Sequence, residues 1–322
     1  MAVYTKLDKA GILSHLQHYD LGELIDYKGI KAGIDNSNYI LETTENRFIL
    51  TIFESRIEPG EIPFFTDLKL HLAEKGICCP RPILTNDSKV LVDLKGKKSI
   101  IVNFLDGNIL QPDSSGLYSN ITDRHCFEVG NILSKLHIAV GDFKGFRKND
   151  LGVSEFRDFF GKFSKLADEY QENLSTEISQ TIDLIESKWN SDLQSGAIHS
   201  DLFPDNVFFE DGPKLSGVID FYFAANDLFI YDLAVMVNAW CFDENNQFVE
   251  SKYINLIKGY EQNRIIPEEE LEFFNIALIA ASTRFLLTRL NDYFFTPKDS
   301  LVTIKDPKEY IEKLRYFVGQ AI

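Results

Sequence analysis

Cysteine, basic residues and long apolar runs are all scarce in this chain, and each shortage excludes a class of protein. Only four cysteines occur in 322 residues. Two of them, Cys78 and Cys79, are adjacent, so a disulfide bond between them would be strained. Their spacing fits neither a zinc site nor a disulfide framework. We therefore expect reduced thiols and, because residues 1–8 have no apolar signal-peptide core, a cytoplasmic protein.

The shortage of positive charge limits the partners that the protein can bind. Lysine and arginine total 33 against 49 aspartates and glutamates, which gives a formal net charge of −16. Such a surface repels phosphate backbones and anionic lipids, so we expect no nucleic acid and no membrane as partners. An anion such as ATP would then need a local device, usually Mg²⁺ together with backbone N–H groups.

The chain also lacks the composition of a disordered or membrane-spanning protein. It contains only 19 glycines and 10 prolines and no low-complexity tract. The most apolar stretch near the C-terminus, residues 271–290, is interrupted by Glu272, Asn275, Arg284 and Arg289. These side chains are too polar for the centre of a bilayer. The stretch is therefore predicted to be a buried helix.

The pattern of apolar residues predicts an α+β protein with two lobes. Residues 1–105 are mainly short β-prone runs with one inserted helix, which indicates a small antiparallel β-rich lobe. Residues 106–322 are dominated by helical spacing and form a larger, mainly helical lobe. A cleft between two such lobes is where we expect a ligand to bind.

The strongest chemical signal is the segment HSDLFPDN at residues 199–206, which has the form H-x-D-x-x-x-x-N. Phosphoryl transfer needs a carboxylate that orients the attacking hydroxyl and accepts its proton, and Asp201 is the candidate. It also needs oxygen ligands for Mg²⁺, and Asn206 and Asp220 could supply them. Taken by itself, the motif is explained equally well as a polar turn whose side chains cap backbone groups. The apolar strand that ends at Asp220 favours kinase chemistry.

Here the sequence resembles a known family. HSDLFPDN followed by VIDF is similar to the paired motifs of the aminoglycoside phosphotransferases, choline kinases and methylthioribose kinases. Within that superfamily, RFILTIFE, IVNFLDG and STRFLLTRLNDYFF resemble the bacterial homoserine kinases of the phosphotransferase-like type. The resemblance covers nearly the whole chain. It implies the two-lobe protein-kinase-like fold and ATP- and Mg²⁺-dependent formation of O-phosphohomoserine from L-homoserine, on the route to threonine.

The resemblance also implies roles for individual residues. Asp201 would be the catalytic base, and Asn206 and Asp220 would bind the metal ion. The candidate nucleotide-binding residues are Gly33, Ser37, Thr51, Asn103 and Leu105. Thr51 occupies the position where related kinases carry a phosphate-binding lysine, and Lys31 or Arg56 could replace that charge. The glycine-containing segment around Gly33 fits an ordinary hairpin turn equally well.

Substrate choice is open at this point. Arg284 is a candidate for binding the carboxylate of the substrate, because a buried arginine needs a partner; an internal salt bridge is the alternative. Another small alcohol, such as choline, methylthioribose or an aminoglycoside, could be the acceptor. The chain could also be a non-catalytic nucleotide-binding module, for which the uncharged Thr51 is the one hint.

Overall fold

The computed structural model describes residues 4–30, 36–54, 57–112, 118–297 and 304–320. The chain divides into two compact units, Met1–Asp106 and Gly107–Ile322. The first unit contains an antiparallel sheet and the second is mainly helical, which confirms the predicted α+β class.

The first unit is a five-stranded sheet with two helices. In chain order, its elements are α1 (Lys9–Leu16), β1 (Leu24–Gly29), β2 (Asn36–Thr43), β3 (Arg47–Phe53), α2 (Ile62–Glu74), β4 (Val92–Leu94) and β5 (Lys97–Asn103). The strands lie in the order β1-β2-β3-β5-β4. The turn between β4 and β5 places Lys95 and Gly96 at φ values of 51° and 78°. Two consecutive residues in the left-handed region are typical of a tight hairpin turn.

One face of this sheet forms a hydrophobic core with α1. Side chains alternate between the two faces of a strand, and the buried side chains Tyr39, Leu41, Leu50 and Ile52 share the face that packs in one cluster with Ile12 of α1. Ser37 has the same alternation phase as Tyr39 and is fully buried. Thr51 lies on the opposite face.

Within its described residues, the second unit contains eight α-helices and five short strands. Its elements are β6 (Asn108–Ile109), α3 (Asp123–Ala139), α4 (Phe156–Gly161), α5 (Ser164–Tyr170), α6 (Leu174–Lys188), β7 (Ser195–Ile198), β8 (Val207–Phe209), β9 (Leu215–Val218), β10 (Ala225–Leu228), α7 (Phe229–Trp240), α8 (Glu250–Tyr260), α9 (Glu268–Phe295) and α10 (Lys308–Gly319). Strands β7 and β10 form one antiparallel pair, and β6, β8 and β9 form a second small sheet.

Helices α3 and α8 pack at a very short distance because each carries a glycine at the contact. A Cβ atom at Gly130 would lie 2.1 Å from the carbonyl oxygen of Leu256, and one at Gly259 would lie 2.0 Å from that of Phe127. Any larger residue would therefore force the two helices apart. This close packing brings Tyr260, at the end of α8, within reach of α3.

Helix α9 is the long apolar helix that the sequence predicts. Among the described residues it alone is long and apolar enough to cross a membrane, and 72% of its most apolar window is buried inside the protein. Burial to this extent is typical of a core helix. Its two arginines, Arg284 and Arg289, are both buried, so each must have polar partners within the protein.

Candidate active site

The segment at residues 199–206 forms the loop between β7 and β8, and His199 holds it in place. The Nε2 atom of His199 lies 2.9 Å from the carbonyl oxygen of Ile219 and donates to it, while Nδ1 accepts the N–H of Asp201. Burial lowers the pKa of His199, in agreement with a neutral ring that donates at one nitrogen and accepts at the other. His199 thus joins the loop to the end of β9, directly before Asp220.

Asp232 of α7 fixes the backbone at the start of the loop. Its carboxylate accepts the N–H of His199 at 2.9 Å and that of Ser200 at 2.7 Å. Ser200 has φ 68°, in the left-handed region that disfavours side chains with a Cβ. Burial alone would raise the pKa of Asp232, but its interactions with His137 and His199 outweigh burial and lower it. The carboxylate therefore stays ionised under the loop.

A buried chain of hydrogen bonds continues from Asp232 to α8 and α9. Nε2 of His137 donates to Asp232 at 3.1 Å, and Nδ1 lies 2.7 Å from the hydroxyl of Tyr260. That hydroxyl accepts from Arg264 at 3.0 Å, and Arg264 forms an ion pair with the buried Glu270. Sequence reasoning missed His137 and this chain. A histidine on the buried face of α3 was the one signal available.

Asp201 and Asn206 are direct neighbours in the loop. The amide Nδ2 of Asn206 donates to the carbonyl oxygen of Asp201 at 2.8 Å and approaches its carboxylate oxygen at 3.3 Å. Burial raises the pKa of Asp201 to about 8, and Asp220 and Asp205 add to the rise. The positive charge of Arg284 acts in the opposite direction. Asp201 is thus partly buried and lies in a predominantly acidic setting.

The Asn206 and Asp220 side chains fit a magnesium site. Because Nδ2 of Asn206 is used toward Asp201, its Oδ1 is the atom left to act as a ligand. The backbone oxygen of Asn206 accepts the N–H of Ile219 at 3.0 Å, which places Asp220 next to it in the fold. Oxygen donors of this kind suit Mg²⁺. In the described ranges, no group of three or more His, Cys, Asp or Glu residues could hold a metal ion.

Arg284 contacts the loop at residues 199–206. Its side chain is 2% exposed, and Nη1 donates to the carbonyl and hydroxyl oxygens of Ser200 at 2.5 and 2.6 Å. Its Nε atom is buried without a hydrogen-bond partner among the described residues. Arg284 also lines a pocket of about 180 Å³. The other lining residues are Asp150, Leu151, Glu155, Phe156, Phe159 and Leu287.

The first unit holds the predicted nucleotide-binding residues, and it does not bring all of them together. The hydroxyl of Ser37 donates to Glu54 at 2.6 Å and accepts the N–H groups of Tyr4 and Thr5. Thr51 instead donates to Asn38 at 2.7 Å, on the opposite face of the sheet. Gly33, Lys31 and Arg56 lie outside the described residues.

Asn103 and Leu105 lie at the end of the same sheet. Asn103 is the last residue of β5, and its Oδ1 accepts the N–H of Arg81 at 2.5 Å. Leu105 follows two residues later and is half-buried. Both lie in the first unit, next to its boundary at Asp106.

Comparison with solved structures identifies the fold. The chain superposes on an amicoumacin kinase, in complex with AMP-PNP, Ca²⁺ and Ami, with a TM-score of 0.67 over 98% of this chain and 93% of that one, at 14% identity. A microcompartment-associated aminopropanol kinase gives a TM-score of 0.63, covering 97% of this chain and 95% of that one, at 18% identity. These likenesses confirm the predicted kinase-like fold.

Comparison of sequences identifies the family. A profile described as "Phosphotransferase enzyme family" matches residues 26–264. A homoserine kinase of Agrobacterium fabrum is 42% identical over 98% of this chain and 95% of its own length. One of Rhizobium meliloti is 41% identical over 98% of this chain and 94% of its own length. The chain belongs to the phosphotransferase enzyme family, and these relatives within the family are homoserine kinases.

Proposed function

We propose that this enzyme transfers the γ-phosphoryl group of ATP to the side-chain hydroxyl of L-homoserine and releases O-phospho-L-homoserine. The proposal is supported chiefly by one combination: near full-length identity of about 40% to homoserine kinases, together with a loop that sets Asp201 against Asn206. We also propose that the enzyme is cytoplasmic and that its product lies on the route to threonine. Choline, methylthioribose and aminoglycosides lack the carboxylate of homoserine, which makes the acceptor testable.

Asp201 is the proposed general base. Its carboxylate would accept the proton of the acceptor hydroxyl as the oxygen attacks the γ-phosphorus atom. Asn206 restrains that carboxylate through Nδ2, and Asp232 and His199 restrain the backbone on either side of Ser200. A protonated carboxyl group cannot take up a proton. Cations that bind with the substrates must therefore lower the pKa of Asp201, so that its carboxylate is ionised.

Asn206 and Asp220 are the proposed magnesium ligands. Mg²⁺ at this position would neutralise the charge of the β- and γ-phosphates and lower the barrier to transfer. The bound cation would also favour the ionised form of Asp201, because opposite charge nearby lowers the pKa of a carboxyl group. The observation that supports this role is the orientation of Asn206, whose amide nitrogen faces Asp201.

Arg284 is the proposed partner of the substrate carboxylate. It touches Ser200, the residue before Asp201, and it lines a pocket that also carries the carboxylates of Asp150 and Glu155. Phe156 and Leu287 line the same pocket and offer apolar surface to the methylene groups of the substrate. The unpartnered Nε of Arg284 leaves the guanidinium a donor to spare.

The proposed nucleotide contacts lie in the first unit. Thr51 lies on the sheet face that is not covered by the α1 core, and the end of β5 with the residues after it would offer the backbone of Asn103 and Leu105 to the adenine ring. Ser37 of β2 and Gly33, which precedes β2 in the sequence, are the proposed residues near the phosphates. The bonds from Ser37 to Glu54 and to Thr5 support a role in which Ser37 holds β2 in position.

An ATP-consumption screen over homoserine, serine, threonine, choline and methylthioribose tests the proposal. We expect turnover with homoserine and at least about tenfold lower kcat/KM with every other alcohol, which corresponds to about 1.4 kcal/mol of discrimination. Activity on choline or methylthioribose with none on homoserine would replace the proposed substrate. ATP binding without turnover on any alcohol would indicate a non-catalytic module.

A further inference from the structure

The catalytic loop has no positive charge of its own. Residues 199–206 include neither lysine nor arginine, and burial lowers the pKa of His199, which therefore favours its neutral form. Two cations from outside the loop act on Asp201, and they are Arg284 and Lys305. Arg284 is buried and bonded to Ser200. Lys305 is exposed and comes from the segment before α10.

Lys305 lines a solvent-open cavity of about 400 Å³ in the second unit. Phe203 of the catalytic loop, two residues after Asp201, forms part of the same wall, and the Lys305 ammonium lies 5.9 Å from the centre of its ring. The other lining residues are Tyr118, Ile121, Ala239, Phe242, Asp243, Arg289, Glu309 and Lys313.

The charges around this cavity leave one cation without an acidic partner. Glu309 is shared by Arg289 and Lys313, at 2.6 Å from each. Asp243 accepts the backbone N–H groups of Asn245 and Gln247. Within residues 4–30, 36–54, 57–112, 118–297 and 304–320, no hydrogen bond or ion pair is formed by the Lys305 ammonium. In a chain of net charge −16, a cation that is kept apart from carboxylates is poised for an external anion.

We propose that Lys305 binds an oxyanion beside Asp201 during the reaction. The inference rests on the proposed function, which supplies two such anions: the carboxylate of the acceptor and the phosphoryl group in transfer. Both would lie near the acceptor hydroxyl, where Asp201 acts. An ammonium group held there would stabilise the negative charge of the bound anion. It would also oppose the acidic neighbours of Asp201.

The test compares Lys305→Met with a matched control, Lys308→Met. Lys308 is three residues away and exposed, it is paired with Glu312 at 3.7 Å, and it does not line the cavity. We expect Lys305→Met to lower kcat/KM for homoserine at least about tenfold, Lys305→Arg to restore most of it, and Lys308→Met to remain within about twofold of wild type. Thermal unfolding of all three variants checks that the fold is retained.

Homoserinol, which lacks the carboxylate, distinguishes the two anions. If Lys305 binds the carboxylate, replacing this lysine raises KM for homoserine and leaves the kinetics with homoserinol unchanged. If Lys305 binds the phosphoryl group, kcat falls equally for both alcohols. Unchanged kinetics on both alcohols, or an equal loss in Lys308→Met, would overturn the inference. A wild-type enzyme inactive on homoserine would overturn the proposed function alone, and the comparison would then use the alcohol that the screen identifies.

Discussion

The buried carboxylate of Asp232 accepts the backbone N–H of Ser200 at 2.7 Å, on the residue that precedes the proposed base Asp201. Ser200 is held at φ 68°, a conformation that costs about 1–3 kcal/mol for a residue with a side chain. Arg284 binds the carbonyl and hydroxyl oxygens of the same residue. Side chains of two helices, α7 and α9, thus hold Ser200 in place, and this arrangement sets the position of Asp201.

The first prediction concerns Asp232→Asn. Asparagine has the same shape, but it can accept through one oxygen only, so either the N–H of Ser200, or the N–H of His199 together with His137, loses its acceptor. We expect kcat to fall at least about tenfold, with KM for ATP within about twofold of wild type. Steady-state kinetics in both substrates measures this. A variant that unfolds at a lower temperature yet keeps wild-type kcat would show that Asp232 only stabilises the fold.

The second prediction concerns the metal ion. If Asn206 contributes Oδ1 to Mg²⁺, Asn206→Ala should raise the Mg²⁺ concentration needed for half-maximal rate, by about 10–100-fold for the loss of an oxygen ligand or its support. Asp220→Ala should abolish turnover, since it removes the charged ligand. A magnesium titration of the rate at saturating ATP and homoserine checks both. An unchanged titration curve for Asn206→Ala would remove that residue from the site.

The sequence predicts the parts of this protein that depend on local pattern. Strands β2 and β3 and helix α2 follow from alternation and helical spacing, and these contacts are near in the chain. The contacts that hold the loop at residues 199–206 cannot be predicted from local pattern. Asp232 bonds to His199, which is 33 residues away in the chain, and to His137, which is 95 residues away. Only the packing of α3 and α7 brings them together. No spacing rule for a single segment contains that information.

The face of a strand residue is equally hard to predict without the register. Ser37 and Thr51 are both reasonable candidates for contacting ATP. Because Thr51 pairs with Asn38, and Ser37 pairs with Ile52, the two side chains lie on opposite faces. A shift of one residue would reverse this, and the sequence alone gives no strong preference between the two registers.

The third prediction concerns Arg284→Lys. Lysine keeps the charge but loses the planar fork that can bond Ser200 and a carboxylate at once. We expect KM for homoserine to rise about tenfold or more, about 1.4 kcal/mol, with little change in KM for ATP. The activity of the variant on homoserinol should fall less than its activity on homoserine. Equal losses for the two alcohols would make Arg284 a residue that supports the loop, and Arg289 the next one to test.

The fourth prediction concerns the pH dependence of stability around Glu309. Burial alone would raise its pKa, but Lys313 and Arg289 outweigh burial and lower the pKa to about 2. A lowered pKa means that the ionised form stabilises the fold, fully above the unfolded value of about 4.3 and progressively less as pH falls toward 2. Glu309→Gln should therefore lower the free energy of unfolding at pH 7 by about 3 kcal/mol, because buried Lys313 loses its partner.

Urea unfolding at several pH values measures this difference. The gap between wild type and Glu309→Gln should be constant from pH 7 to about pH 5 and narrow below it. Glu312→Gln is the control, since Glu312 is exposed and its pair with Lys308 is 3.7 Å long. A gap that stays the same at pH 3.5 would show that the cost comes from packing and not from the charge of Glu309.

The central claim is that Asp201 directs the γ-phosphoryl group of ATP to the hydroxyl of homoserine. The most direct measurement follows labelled γ-phosphate into O-phosphohomoserine with wild type and Asp201→Asn under saturating Mg²⁺. We expect label in O-phosphohomoserine with wild type, and a rate lower by about 10²–10⁴-fold with Asp201→Asn, while ATP still binds with near wild-type affinity. Label that reaches only water, or a variant that keeps a tenth of wild-type turnover, would contradict it.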